Sequence, residues 1–227
     1  MKGLVIKSTG SWVTVRGEDG RDHACKIKGS FRLRGIRHTN PIAIGDRVVF
    51  DPSGADTAGL ITAIEPRFNY IIRKSVKLSS ASHILAANID QAWLIVTLAQ
   101  PVTSNGFIDR FLVTAEGYYI HARLIFNKID LCTPEMTDLL DQLITIYEDA
   151  GYPCHKVSAL TGEGVSGLCA LMKDKINLFS GHSGAGKSAL IKALEPSLDP
   201  RIGKISEVHQ KGDRKSTRLN SSHGKLS

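Results

Sequence analysis

One stretch of the chain, "GHSGAGKS" at residues 181–188, constrains the fold more than any other part of the sequence. It fits the pattern G-x-x-x-x-G-K-[ST] and lies between "INLF", which predicts a strand, and "SALIKAL", which predicts a helix. In this context the glycines let backbone N–H groups face phosphate oxygens, and the helix N-terminus adds a partial positive charge. The sequence therefore predicts an α/β domain with a phosphate-binding loop.

Two side chains of this loop are the catalytic candidates. Lys187 is predicted to reach the β- and γ-phosphates of a nucleotide, and the Ser188 hydroxyl is predicted to ligate Mg²⁺. His182 is expected to be an exposed loop residue rather than a catalytic base. The residues expected to contact the nucleotide in this loop are Gly181, His182, Ser183, Gly184, Ala185, Gly186, Lys187 and Ser188.

The stretch "NKID", residues 127–130, indicates which base is bound, because it follows the predicted strand "ARLIF". A carboxylate at Asp130 can accept hydrogen bonds from N1–H and the amino group of guanine, a pair that adenine lacks. Such a site can reject the wrong ligand by roughly 10⁴-fold. Asn127 is expected to support the purine edge and the loop, and the stem of Lys128 is expected to cover the ring. Taken alone, four residues are equally well explained by a turn.

A third stretch, "SALTGEG" at residues 158–164, also follows a predicted strand and precedes a predicted helix. The backbone N–H of Ala159 is predicted to donate to guanine O6. In isolation this stretch would be a plain strand-to-helix turn. The three stretches together, each at the carboxyl end of a parallel strand, meet at the sheet edge where such folds bind ligands. They predict a guanine-nucleotide site.

Strands and helices alternate from about residue 88 onwards, which predicts a parallel sheet covered by helices on both faces. The helices "DRFLVTAEGYY" (109–119) and "PEMTDLLDQLITIYEDAG" (134–151) are predicted between apolar strands; the second has Pro134 at its start and Gly151 just past its end. Residues 88–212 are therefore predicted to form the nucleotide-binding domain.

The first third of the chain has a different pattern. Residues 1–66 contain short runs of β-branched and alternating apolar residues, which predict an all-β barrel of the OB type, followed by a basic linker at 67–87. Residues 1–77 hold 14 Lys and Arg against 7 Asp and Glu, which favours an anionic partner such as RNA over a merely solvated surface. The RNA-binding candidates in a predicted barrel loop are Arg32, Arg34 and Arg37.

The order of the motifs is unusual, because the base-reading stretches precede the phosphate loop. This order, together with the basic barrel and "AANID" at 86–90, resembles the ribosome small-subunit-dependent GTPase A family over residues 1–212. The resemblance implies a circularly permuted GTPase with an OB-fold before it and a zinc-binding domain after it. It also implies GTP hydrolysis stimulated by the small ribosomal subunit, late in maturation of that subunit. The implied GTP site comprises Asn127, Lys128, Asp130, Ser158, Ala159 and residues 181–188.

The chain departs from the family pattern after Gly212. Residues 213–227, "DRKSTRLNSSHGKLS", resemble translated adapter sequence and are expected to form a disordered tail foreign to the family. There is no Asp-x-x-Gly after residue 188 and no Cys after residue 169, so the zinc ligands of the family have no counterpart. We expect the GTPase domain to be incomplete at its C-terminus and its hydrolysis to be impaired.

Two other functions remain open from the sequence. The main alternative is an RNA-binding OB-fold module with a vestigial nucleotide site; an ATP-dependent kinase is disfavoured by "NKID" and "SAL". No apolar run approaches the roughly 18–20 residues that a membrane span needs, and no signal peptide is recognisable. We therefore expect a cytoplasmic monomer without membrane contact, whose partners are the small ribosomal subunit and its rRNA.

Overall fold

The computed structural model describes most of the chain, namely residues 1–9, 12–27, 41–52, 58–74 and 82–197. Two predictions lie outside these residues: the RNA-binding candidates Arg32, Arg34 and Arg37, and the tail at 213–227.

Five strands lie near the N-terminus: β1 (Lys2–Thr9), β2 (Trp12–Gly17), β3 (Asp22–Ile27), β4 (Arg47–Asp51) and β5 (Gly59–Ile64). They close into a barrel in the order β1-β2-β3-β5-β4. Neighbouring strands are antiparallel except β3 and β5, which run parallel. Buried and exposed side chains alternate along the strands, which gives the closed barrel an apolar interior. Along β2, Val13 and Val15 point into the barrel, while Trp12 and Arg16 are exposed. The predicted all-β barrel is confirmed.

Residues 67–87, predicted as a linker, contain a two-stranded antiparallel sheet. Strand β6 (Tyr70–Lys74) pairs with β7 (Ser82–Ala87), with Tyr70 opposite Ala87. Basic residues give this stretch the composition of a linker, but apolar residues between them, including Ile71 and Ala86, are buried. The division of the chain into domains itself stays a prediction.

The remainder is a four-stranded parallel sheet of order β10-β9-β8-β11, whose strands are β8 (Gln91–Val96), β9 (His121–Phe126), β10 (Cys154–Lys156) and β11 (Asn177–Gly181). Four helices connect or follow these strands: α1 (Asn105–Gly117), α2 (Pro134–Asp149), α3 (Val165–Met172) and α4 (Lys187–Leu194). The predicted alternation of strands and helices is confirmed.

Helices cover both faces of this sheet, as predicted. On one face Leu94 and Leu124 pack against residues of α1 and α2. On the other face Trp93 and Ile125 pack against residues of α3 and α4. Every residue of β8 is buried, because a central parallel strand has no solvent-facing side.

The helix ends follow from local chemistry. Helix α2 begins after Thr133, whose hydroxyl accepts a hydrogen bond from the Met136 N–H at 3.4 Å, with Pro134 in its first turn. Helix α1 begins at Asn105, four residues before its predicted start at 109. Gly106 lowers the helix propensity of that first turn, so the sequence pattern underestimates the helix.

A buried ion pair joins the barrel to the segment that follows it. Both Arg67 Nε and Nη2 donate to the Asp46 carboxylate at 2.6 Å, and Nη2 also donates to the Pro41 carbonyl oxygen. Asp46 is fully buried and its Oδ2 also accepts from the Ala43 N–H. In the sequence Arg67 is part of a basic stretch. In the structure it pairs with Asp46 and stabilises the fold.

Two asparagines complete this junction. Asn88 donates from Nδ2 to the Gly45 carbonyl oxygen of the barrel at 2.9 Å and accepts from the Phe68 N–H. Asn69 accepts from the Ile89 N–H at 2.7 Å and donates to the Ile89 carbonyl oxygen. The stretch "AANID" thus connects barrel, hairpin and parallel sheet through its backbone and side chains.

Candidate functional site

The three motif loops meet at the carboxyl edge of the parallel sheet. Residues 127–130 follow β9, residues 158–164 come shortly after β10, and residues 181–188 lead from β11 into α4. Since β8 and β9 are neighbours and β11 lies beside β8, the loops after β9 and β11 are close in space even though they are far apart in sequence. Hydrogen bonds between the loops confirm the predicted convergence.

Asn127 is the residue that links the three loops. Its side chain is buried, with 4% exposed, and its Nδ2 donates to the Ala185 carbonyl oxygen of the phosphate loop at 2.9 Å. Its Oδ1 accepts from the Ala159 N–H at 3.1 Å. Asn127 is predicted to support both the purine edge and the loop; in the structure its amide binds a protein group of each neighbouring loop, while its contact with a base stays a prediction.

That contact also bears on Ala159. Its N–H was predicted to donate to guanine O6, and in this structure it donates to Asn127. The proximity of Ala159 to the base-reading loop is thereby established, while its contact with a base stays a prediction.

The phosphate loop approaches its neighbours so closely that two of its positions require glycine. A Cβ on Gly186, whose φ is 93°, would lie 2.4 Å from Asn127 Nδ2. A Cβ on Gly181, whose φ is 147°, would lie 2.7 Å from the Ile95 carbonyl oxygen. Any side chain at these positions would separate the phosphate loop from the base-reading loop and from the central strand.

Asp130, the predicted guanine-reading carboxylate, is exposed within a short turn at Ile129–Leu131. The hydroxyl of Ser158, a fully buried residue, donates to Asp130 Oδ1, and Ser158 Oγ itself accepts from the Thr161 N–H at 3.1 Å. Ser158, which the family resemblance places in the GTP site, is therefore the residue that orients the carboxylate. The side chain stays open to solvent, where a base can approach it.

The two lysines of the motifs are both held by backbone carbonyls. Lys187 Nζ donates to the carbonyl oxygens of Gly181 at 2.6 Å and His182 at 2.8 Å, so its ammonium curls over the phosphate loop. Lys128, in the left-handed conformation at φ 67°, donates from Nζ to the Gln100 carbonyl oxygen at 2.6 Å. The Lys187 ammonium thus lies at the phosphate loop, whereas the Lys128 ammonium is bound to the segment that follows β8.

His182 differs from its predicted exposed position. It is half-buried, and its ring stacks on Phe107 of α1 with the centroids 4.0 Å apart and the planes 30° apart. Ser183 and Gly184 are exposed, while Ala185 is fully buried in the core of the sheet. The loop therefore presents its tip to solvent and anchors its two flanks.

Sequence reasoning missed the segment at 97–107, which follows β8 and includes the first residues of α1, as part of this site. Gln100 accepts from Lys128, Phe107 contacts His182, and Pro101 Cδ lies 3.4 Å from the position that a Cβ on Gly184 would take. No motif marks this segment. The available signal was its position, since it follows a strand at the same sheet edge as the other loops.

Ser188 is exposed in the first turn of α4, after Gly186 at the helix N-cap. A hydroxyl there is a suitable protein ligand for a Mg²⁺ ion that is otherwise coordinated by phosphate and water oxygens. Within the part of the chain that the structure describes, no group of three or more His, Cys, Asp or Glu side chains could hold a metal ion. The zinc that the family resemblance implies has no site among these residues.

None of the helices in the described ranges is long and apolar enough to cross a membrane.

Two family models match the chain. One, described as the RsgA GTPase, matches residues 64–224, and the other, described as the RsgA N-terminal domain, matches residues 2–61.

Curated relatives are similar over nearly the whole chain. The small ribosomal subunit biogenesis GTPase RsgA of Bacteroides fragilis is 55% identical over 212 residues, which are 93% of this chain and 68% of the relative. The protein of the same name from Christiangramia forsetii is 48% identical over 219 residues, which are 96% of this chain and 70% of the relative. The chain thus spans somewhat over two thirds of the length of these relatives.

Solved structures agree with this similarity. YjeQ from Thermotoga maritima superposes with a TM-score of 0.74 at 35% identity, covering 87% of this chain and 66% of that one. YloQ, described as a circularly permuted GTPase, superposes with a TM-score of 0.69 at 28% identity, covering 86% of this chain and 64% of that one. The predicted fold, a barrel followed by an α/β domain in permuted order, is confirmed.

Proposed function

We propose that this chain, which belongs to the RsgA GTPase family, binds GTP at the carboxyl edge of its parallel sheet and hydrolyses it to GDP and phosphate during maturation of the small ribosomal subunit. The observation that carries the proposal is Asn127, whose side chain binds the phosphate loop and the Ala159 loop at once. A buried amide in this position has a structural reason to exist only if both loops must be held together at one site.

The base end of the site consists of Asp130, Ser158, Ala159 and Lys128. Ser158 fixes one oxygen of the Asp130 carboxylate, so the carboxylate can face N1–H and the amino group of guanine. The aliphatic stem of Lys128 is suited to cover the purine ring, because its backbone conformation and its bond to Gln100 fix where the stem runs. These features support guanine selection.

The phosphate end consists of the loop amides, the start of α4, Lys187 and Ser188. The loop amides and the helix N-terminus supply partial positive charge, and Lys187 adds a full one. When bound, Mg²⁺ neutralises charge on the β- and γ-phosphates, and Ser188 would hold it. In hydrolysis these groups stabilise the negative charge on the transferred phosphoryl group and on the departing GDP.

The ribosomal partner enters the proposal through the relatives, which are named small ribosomal subunit biogenesis GTPases. We propose that rRNA of this subunit binds the basic N-terminal third, with Arg32, Arg34 and Arg37 as contacts. We further propose that the subunit stimulates hydrolysis, and that the chain acts as a monomer in the cytoplasm. The net positive charge of residues 1–77 supports the RNA contact.

Binding of a fluorescent GDP analogue, with GTP and ATP as competitors, tests the nucleotide part. We expect GTP to compete at least about a hundredfold better than ATP, because adenine lacks the N1–H and amino pair that the Asp130 carboxylate is predicted to accept. Lys187→Ala should weaken binding strongly, whereas Lys192→Ala, an exposed lysine in the last turn of the same helix, should not.

Co-sedimentation with small ribosomal subunits tests the partner. We expect more of the chain to sediment with a non-hydrolysable GTP analogue than with GDP. Equal sedimentation with and without nucleotide, combined with no binding of GDP, would instead support an RNA-binding module with a vestigial nucleotide site.

A further inference from the structure

The contact between Phe107 and His182 lies at the start of a chain of contacts that ends at Lys187. The two rings are stacked 4.0 Å apart, and both residues are half-buried. Phe107 is held from behind by the core between α1 and the sheet, against which it packs. His182, in contrast, is in a loop, so the stack fixes the loop to the helix rather than the reverse.

The backbone of His182 connects the ring contact with the Lys187 ammonium. Its carbonyl oxygen accepts from Lys187 Nζ at 2.8 Å and from the Ala185 N–H at 3.2 Å. The position of that carbonyl therefore sets both the turn of the phosphate loop and the place of the ammonium. A shift of the His182 ring away from Phe107 would move one of the two carbonyl oxygens that hold Lys187, the other being that of Gly181.

We propose that Phe107 is a positioning residue for the phosphate end of the site: by stacking on His182, it fixes the carbonyl that orients Lys187 toward the phosphates. The inference rests on the proposed guanine-nucleotide function and adds to it a residue outside all three motifs. Phe107 itself touches no phosphate. It acts through His182 and then Lys187, so its substitution changes phosphate binding and leaves base selection as it is.

The test measures the Kd for GDP by fluorescence, at a temperature well below unfolding, for Phe107→Leu, His182→Ala and the double variant. We expect each single variant to bind GDP about threefold to tenfold more weakly, which is the scale of one lost aromatic pair. We expect the double variant to be no weaker than either single one, because both substitutions remove the same contact. The preference for GDP over xanthosine diphosphate should stay within twofold of the parent.

Two controls separate positioning from stability. Phe111→Leu changes a half-buried phenylalanine one turn later on α1, which packs in the core and not on the phosphate loop. It should lower Tm as Phe107→Leu does while leaving the Kd for GDP unchanged. Phe107→Tyr keeps a ring against His182 and should bind GDP within twofold of the parent.

The inference is overturned if Phe107→Leu binds GDP as the parent does, if Phe111→Leu loses as much affinity, or if the two single effects add in the double variant. A parent chain that binds no GDP at all would contradict the proposed function as well. A parent that binds GDP normally, with unaffected Phe107 variants, would remove only the positioning role.

Discussion

At the scale of single residues, the site depends on side chains that hold other groups in place. Ser158 orients Asp130, and Asn127 bridges two loops, yet the sequence suggests contact with nucleotide for all of them. An active carboxylate that is exposed and flexible would lose affinity through its own rotamer entropy, and a fixed hydrogen bond from a buried hydroxyl prevents that loss. The first prediction follows from these two roles: Ser158 orients the carboxylate, and Asp130 is proposed to read the base.

Asp130→Asn should shift the base preference from guanine toward xanthine. An amide can donate to the carbonyl of xanthine where the carboxylate accepted from the amino group of guanine. Ser158 can still donate to the remaining side-chain oxygen, so the amide keeps the orientation of the carboxylate. Competition of GDP and xanthosine diphosphate for the site measures the shift.

The matched control is Asp138→Asn, an exposed carboxylate on α2. It should leave the preference unchanged. Identical base preference in the parent and in Asp130→Asn would show that the carboxylate does not read the base.

The second prediction concerns the ion pair between Arg67 and Asp46. Arg67→Met should lower the free energy of unfolding by about 3–5 kcal/mol, because it leaves the fully buried Asp46 carboxylate without its charged partner. Arg16→Met removes an arginine from an exposed pair with Asp22 and should change stability little. Urea unfolding of both variants measures the difference, and equal, small losses would mean that water reaches Asp46 in the native state.

At the scale of secondary-structure elements, strand β10 carries an ionisable group in an unusual setting. His155 on this strand packs its ring against Trp93 with the centroids 5.6 Å apart, and its Nε2 is buried without a hydrogen-bond partner among the described residues. Burial, and then the positive charge of Arg123, lower the pKa of His155 from its usual 6.5, while Glu148 opposes the shift. The folded chain therefore favours neutral His155.

The sign of the pH dependence follows from this lowered pKa. Below about pH 6.5 the unfolded chain takes up a proton at His155 that the folded chain takes up only at lower pH, so stability falls as the pH drops through this range. His155→Phe should remove this part of the loss, giving a Tm that depends less on pH between about pH 7 and 5. His121→Gln, an exposed histidine at the start of β9, serves as the control. A pH profile of Tm that is identical in parent and His155→Phe would contradict the prediction.

Elements whose signal is local were predictable from the sequence, and elements defined by distant contacts were not. The apolar run at 91–96 and the cap and proline of α2 predict a buried strand and a helix without reference to anything else. Strands β6 and β7 are stable only because they pair with each other and rest on the barrel junction, where Asn88 binds Gly45.

The same distinction applies to the candidate site. Its motif residues were predictable, because phosphate and guanine binding require fixed residue types at fixed spacing. The role of Phe107 was not, since nothing in the stretch around it indicates that His182, far along the chain, lies against its ring.

At the scale of the whole molecule, charge is divided unevenly along the chain. Residues 1–77 hold 14 Lys and Arg against 7 Asp and Glu, and Arg67 is neutralised within the fold. Replacing Arg32, Arg34 and Arg37 by Gln should weaken small-subunit binding and reduce the slope of log affinity against log salt by up to about three. The slope falls because each arginine that is replaced removes one phosphate contact, and binding then releases fewer counterions.

The control for this prediction removes the same charge elsewhere. Lys173, Lys175 and Lys192 are exposed on the α/β part of the chain, and their replacement by Gln should leave the salt slope close to that of the parent. If the two triple variants change the slope equally, binding depends on total charge and not on Arg32, Arg34 and Arg37.

The order of the motifs has a consequence while the protein is being made. Asn127 leaves the ribosome 58 residues ahead of Ala185, the phosphate-loop residue that its amide binds. At about 5–20 residues per second, this interval lasts roughly 3–12 s. During that time the growing chain lacks its phosphate loop, and for the first 32 residues of the interval it lacks Ala159 as well, so its nucleotide site is incomplete. Translation itself therefore sets the moment at which a new molecule first takes up GTP.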